Sequence, residues 1–266
     1  KYGNGRIYWG SDIVNNSENL YPSYDITSAV LKKMNVCEDF SADNDCLRYI
    51  HKKSRKLEYY FVSNKTDNRV KAICSFRVSG AQPHLWDPVT GETRILNAFE
   101  DNGTLTTLSL EFDKYQSFFI VFEPKDHIKS SGKPNFYETE DIQTLEGPWT
   151  VHFDEEWGGP AETIFETLTD WSKNSEEGIK YYSGTASYSK SFDFNGGKGN
   201  GKVFLNLGKV KIMAKVWLNG KDLGIVWTDP WRVDITHVVK KGKNDLRIDV
   251  VNQWANRLIG DEFKSY

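Results

Sequence analysis

Three tryptophans and one polar run are the residues here best suited to holding a ligand. Trp227, Trp231 and Trp254 fall at or near the ends of expected strands. The run Asn252-Gln253-Trp254-Ala255-Asn256-Arg257 comes just after a strand, with Asp261 close behind. A sugar ring offers an apolar C–H face and a rim of hydroxyls. Indole covers such a face, while Asn256, Arg257 and Asp261 supply directed hydrogen bonds. The same tryptophans can instead plug the ends of a β core, and at this point both readings stand.

Other chemistries lack their patterns. The loop Gly196-Gly197-Lys198-Gly199-Asn200-Gly201 leads into a strand. A phosphate loop needs Gly-Lys-Ser/Thr opening a helix. The five histidines, His51, His84, His127, His152 and His237, are scattered and make no zinc motif. No Gly-x-Ser-x-Gly elbow occurs. Glycoside cleavage needs two carboxylates about 5–9.5 Å apart. Spacing along a chain cannot show such a pair, and Glu155-Glu156 and Glu176-Glu177 read as solvated loop charges. No catalytic residue is assigned.

The elements that must position the tryptophans are strands. Residues 140–266 open on Gly147-Pro148-Trp149-Thr150-Val151-His152-Phe153, where Trp149, Val151 and Phe153 alternate. Strands are expected over 182–194, 203–207 and 211–218. Ile212, Ala214, Val216 and Leu218 should face inward. Asn219-Gly220 is a strong hairpin signal, and Leu246, Ile248 and Val250 mark another strand. About eight strands result, a jelly-roll number.

Upstream, strands are expected at 47–51, 58–64, 69–80, 105–110 and 117–122. Val70, Ala72, Cys74, Phe76 and Val78 should share one face. Pro83, Pro88 and Gly91 mark turns around Leu85-Trp86-Asp87. This is an antiparallel sandwich over 45–130. A polar bridge from Glu123 to Pro134 separates it from the jelly roll of 140–266. Residues 1–44 read as a short strand, Gly3–Gly10, then a helix capped by Ser23, as in a truncated α/β segment of a longer polypeptide. The fold class is mainly β.

Composition agrees. The chain has 266 residues, 14% aromatic and 38% hydrophobic, enough for packed cores. Its formal net charge of −3 gives no basic surface for nucleic acid. No apolar run is long enough to insert in a membrane. Cys37, Cys46 and Cys74 lack metal spacing and read as small buried side chains, with a Cys37–Cys46 bridge as the alternative. Asn15, Asn64 and Asn102 begin glycosylation triplets, read as chance.

Ala214-Lys215-Val216-Trp217-Leu218-Asn219-Gly220, Leu223-Gly224, Trp227, Pro230, Val233-Asp234-Ile235-Thr236 and Gly242-Lys243-Asn244 form a recognisable set. Over 140–266 they resemble the galactose-binding-like, sugar-binding domain of family 2 glycoside hydrolases. Tyr49-Ile50-His51-Lys52, Tyr60 to Asn64, Leu85 to Gly91, Trp171, Tyr182 to Ala186 and Asn252 to Asp261 resemble the C-terminal half of family 106 proteins, which are α-L-rhamnosidase-like.

The resemblance implies a polysaccharide-degrading hydrolase whose catalytic carboxylates lie in an upstream (β/α) barrel. This chain would then bind carbohydrate, including rhamnose-containing glycans, or support that barrel. A purely structural packing module is the alternative. The family setting implies a periplasmic or extracellular bacterial protein. It also allows a structural calcium ion, without identifying ligands. The Asn219-Gly220 turn and Asn244 are expected to serve the scaffold.

Overall fold

The structure is a computed structural model that describes residues 3, 5, 7, 24–124, 130–197 and 201–264. Ser23, His127, Lys198 and most of the Gly3–Gly10 segment lie outside the described residues. The chain divides into two compact units, Lys1–Tyr137 and Glu138–Tyr266.

The first unit begins with helix α1 (Tyr24–Lys33), none of whose residues is buried. Nine strands follow: β1 (Phe40–Ala42), β2 (Leu47–Lys53), β3 (Glu58–Asn64), β4 (Val70–Phe76), β5 (Ala81–Trp86), β6 (Thr93–Ile95), β7 (Glu100–Asp101), β8 (Thr106–Phe112) and β9 (Ser117–Pro124). They form an antiparallel sandwich. One sheet has the order β1-β4-β8-β7 and the other β2-β3-β9-β5-β6.

Period-two alternation makes this fold. Val70, Ala72, Cys74, Phe76 and Val78 are all buried, as their spacing predicts. They meet Tyr60, Val62, Ile120 and Phe122 from the other sheet. Phe76 packs against Tyr60 at 4.9 Å and Phe122 at 5.2 Å between ring centroids. Beside this core, Asp39 joins the two sheets. Its carboxylate meets His51 Nδ1 at 3.0 Å and Arg77 at 2.9 Å. His51 Nε2 faces Glu58 at 3.1 Å, and the imidazole stacks on Tyr60 at 4.0 Å.

One element departs from the sequence expectation. Pro83 lies inside β5, paired across from Phe122, and does not mark a turn. Its carbonyl accepts from Leu96 N just beyond the end of the β5–β6 ladder. A proline is tolerated where the ladder stops and needs no donor. Asn64 is also taken: its amide donates to Asn68 and Asp113 carbonyls, which ties it into a turn.

The cysteines differ too. All three are free, and Cys37 is exposed, Cys46 half-buried and Cys74 buried. Only Cys74 is the small core side chain its spacing suggests. Cys37 lies in the polar connection before β2, and Cys46, just before β2, packs half-buried against the sandwich core.

The second unit contains β10 (Trp149–His152), β11 (Thr163–Phe165), a short helix α2 (Glu177–Lys180), β12 (Thr185–Phe194), β13 (Phe204–Asn206), β14 (Met213–Leu218), β15 (Lys221–Val226), β16 (Arg232–Asp234), β17 (Gly242–Val251) and helix α3 (Ala255–Lys264). Eight strands are seen among the described residues. Six form a sheet of order β11-β10-β12-β17-β14-β15, and β13 pairs with β16. Val151, Tyr188, Val216 and Leu246 of the large sheet pack on Val233 and half-buried Leu205 of the small one.

The Asn219-Gly220 hairpin has positive φ at both residues, 53° and 78°. Asn244 is fully buried and locks it. Its amide oxygen accepts from Lys240 N and Asn219 Nδ2, and its amide nitrogen donates to the Lys240 and Gly242 carbonyls.

Candidate functional site

The ends of three neighbouring strands gather the candidate residues of the second unit. Val226, last in β15, pairs with Ala214 of β14; Met213 pairs with Val251, last in β17. Trp227 and the run from Asn252 therefore leave the sheet at the same end. Neighbouring strands are roughly 4.8 Å apart, so about 10 Å separates the two exits. On the other side, Thr185 at the start of β12 pairs with Val251, and His152 at the end of β10 pairs with Ser187.

Trp227 is 57% exposed and Trp254 is 73% exposed. Asn256 is half-buried in α3. Arg257 donates through Nε to Asp261, one helical turn on, at 3.2 Å, and through Nη1 to the Trp157 carbonyl at 3.3 Å. Its backbone N–H donates to Ser183 Oγ. Trp231 stands apart. It packs half-buried against the core, and its carbonyl accepts from Leu207 N. Of the residues named from sequence, Trp227, Trp254, Asn256, Arg257 and Asp261 share one end of the unit, and Trp231 fills the core beside it.

Sequence reasoning missed Trp157. It ends a short 3-10 turn, is 53% exposed, and is tied to α3 through Arg257. Its signal was an indole between two acids and two glycines, Glu155-Glu156-Trp157-Gly158-Gly159. Gly158 is the left-handed cap of that turn, with φ 81°, and a Cβ at Gly159 would lie 2.4 Å from Phe153.

Helix α3 was also hidden inside a polar run. It seats on the body through Gly260, where a Cβ would lie 2.7 Å from the Tyr181 side chain. At about 100° per residue, Leu258 lies opposite Gly260 with Trp254 and Ile259 to either side, while Phe263 lies on the seated side, its ring centroid 6.2 Å from that of Tyr181. All four are at least half exposed. The apolar stripe of this helix therefore faces outward, the reverse of an ordinary surface helix.

Buried polar groups support the same end from beneath. Trp171 Nε1 donates to Tyr188 OH, and Tyr182 OH donates to the Thr185 carbonyl. Burial raises both tyrosines, Tyr188 to about 12. Asp170 caps the turn that carries Trp171. Hydrogen bonds from Lys211 and Ser172 hold its carboxyl down at about 2. Among the described residues no three acidic, histidine or cysteine side chains converge as a metal requires.

Residues 7–100 match the glycoside hydrolase family 106 alpha-L-rhamnosidase family, and 167–261 match the glycosyl hydrolase 2 galactose-binding domain-like family. The solved rhamnosidase from Novosphingobium sp. PP1Y superimposes over 92% of this chain with a TM-score of 0.78 and 34% identity. The chain is of the family 106 rhamnosidase type, with a family 2 galactose-binding-like domain. This rhamnosidase-type chain spans 24% of the Novosphingobium protein's length. It is also 47% identical over 120 residues to a Formosa agariphila protein named "Putative beta-glucuronidase", covering 44% of this chain and 10% of that one. The matches relate it to carbohydrate-active enzymes. No helix among the described residues is long and apolar enough to cross a membrane.

Proposed function

We propose that this rhamnosidase-type chain is a non-catalytic, C-terminal accessory portion of a larger glycoside hydrolase, and that it supports the catalytic barrel of the same polypeptide. The outward apolar face of α3 carries this reading. Trp254, Leu258 and Ile259 form an exposed stripe of the kind that normally marks an interaction surface. The parent enzyme would hydrolyse terminal α-L-rhamnosides and work in the periplasm or outside the cell.

The test uses the longer polypeptide. Leu258→Glu with Trp254→Glu should lower its melting temperature and rhamnoside turnover, yet leave the 266-residue chain as stable as before. Equal stability and turnover of the longer enzyme would sink the support role.

A second reading is glycan contact at the same end, favoured by the exposed indoles of Trp157, Trp227 and Trp254. Trp254, Asn256, Arg257 and Asp261 would then face the substrate beside Trp227, with Trp231 behind them.

A further inference from the structure

The outer face of the large sheet in the second unit holds a groove that the strand-end surface does not include. Its volume is about 570 Å³, within the roughly 300–1,000 Å³ usual for small-molecule sites. Thr150, Ser189, Ser191, Trp217, Asp245 and Arg247 line it.

Strand register builds this groove. Trp217, Arg247, Ser189 and Thr150 are successive cross-strand partners on β14, β17, β12 and β10. They form one row across four strands, roughly 14 Å long at about 4.8 Å per step. β12 alternates Ser187, Ser189 and Ser191 on this face, while Tyr188 points into the core. Three small side chains in a row leave a trough, and Trp217 stands beyond Arg247 as its wall.

The polar groups are held ready. Asp249 grips Arg247 through Nε and Nη2, both at 2.8 Å, so Nη1 is the nitrogen it leaves unengaged. Ser191 donates to Asp245, and Ser187 to Asp249. Hydroxyl, carboxylate and guanidinium groups thus alternate as donors and acceptors around one indole. Lys215 and Arg247 sit over Trp217, 4.7 Å and 4.8 Å from the ring centroid. Lys215 is 41% exposed, on a flexible stem. It can leave the ring to a C–H face, whereas Arg247 is fixed by Asp249.

Charge narrows the ligand class. Lys215 and Arg247 stand against Asp222, Asp245 and Asp249, while the Lys190 ammonium turns to the Pro148 carbonyl and the core indole of Trp149. The groove has no excess of positive charge, and it suits a neutral ligand rich in hydroxyls better than an anion.

We propose that this outer groove binds a neutral oligosaccharide, laid across β10, β12, β17 and β14 with one sugar ring against Trp217. The carbohydrate-associated reading of the chain supplies only the choice of probe. The proposal is independent of docking by α3.

The experiment is calorimetric titration of the 266-residue chain with a neutral rhamnose-capped tetrasaccharide and, separately, a galacturonate tetramer. Saturable binding of the neutral probe is expected. Trp217→Ala should weaken it at least tenfold, Ser189→Phe should fill the trough and abolish it, and Lys173→Ala should leave it unchanged. Arg247→Gln and Ser189→Phe decide the matter if Trp217→Ala fails to fold. No saturable binding by the folded chain would overturn the proposal, as would binding of galacturonate alone. Binding lost in Trp254→Ala and kept in the groove variants would assign the sugar to the strand end and also overturn it.

Discussion

Arg257 and Asp261 pair with each other across one turn of α3, with Nε 3.1 Å from the nearer carboxylate oxygen. Two residues suited to holding a sugar are thus already each other's partners. The Arg257 guanidinium also reaches the Trp157 carbonyl on the neighbouring turn. The pair orients α3 against the 3-10 turn, and any ligand must share it.

Both members of that pair are about half exposed, so the pair itself should contribute little to stability. Asp261→Asn is expected to cost about 0.5 kcal/mol or less in urea unfolding. Arg257→Ala should cost up to about 1 kcal/mol more, because the bond to Trp157 goes too. Equal losses would mean that the Trp157 contact is inert.

Trp254 and Trp227 are mostly solvent-exposed in this chain. Trp254→Ala and Trp227→Ala should each change its unfolding free energy by about 0.5 kcal/mol or less. In the longer polypeptide, Trp254→Ala should reduce rhamnoside turnover or domain stability severalfold. A large stability loss in the 266-residue chain would show instead that the indole packs on its own unit.

Asn244 makes four amide hydrogen bonds in a fully buried position. Asn244→Leu strands at least two buried groups. It should destabilise the second unit by about 3 kcal/mol, read from denaturant midpoints. Asn244→Asp should be milder at acid pH, where a neutral carboxyl can still donate one bond.

Asp170 carries a pH dependence whose sign is fixed by its environment. Hydrogen bonds from Lys211 and Ser172 lower it from 3.8 to about 2. A depressed carboxyl stabilises the fold above its unfolded value and loses that contribution as pH falls from about 4 through about 2. Its side chain is 31% exposed, so screening leaves on the order of 1 kcal/mol. Unfolding free energy of Asp170→Asn should therefore fall less steeply between pH 4 and 2 than that of the parent chain. Parallel pH profiles would remove Asp170 from the account.

The cysteines give a direct probe of folding. Cys37 is exposed, and Cys74 is fully buried with its thiol pushed up to about 12 by burial. A disulfide reagent at pH 8 should label Cys37 within minutes and Cys74 only on global unfolding. Rapid labelling of Cys74 would show that the sandwich opens locally.

Much of the fold is legible along the chain because strands announce themselves by period two. Val70 to Val78 alternate and are buried on one side, and Asn219-Gly220 sits at the hairpin its φ values require. Tertiary context decided the rest. Pro83 became part of a strand because the β5–β6 ladder ends beside it. The run from Asn252 to Asp261 looked polar, yet helical geometry sorts it into a paired Arg257–Asp261 edge and an outward apolar stripe. No spacing in the sequence places Trp157 beside Arg257, 100 residues away. Trp217 and Thr150 likewise share a groove only through the register of four strands. Local periodicity reports which face a side chain takes; which faces then meet depends on strand order and register, and these are set by the packed core.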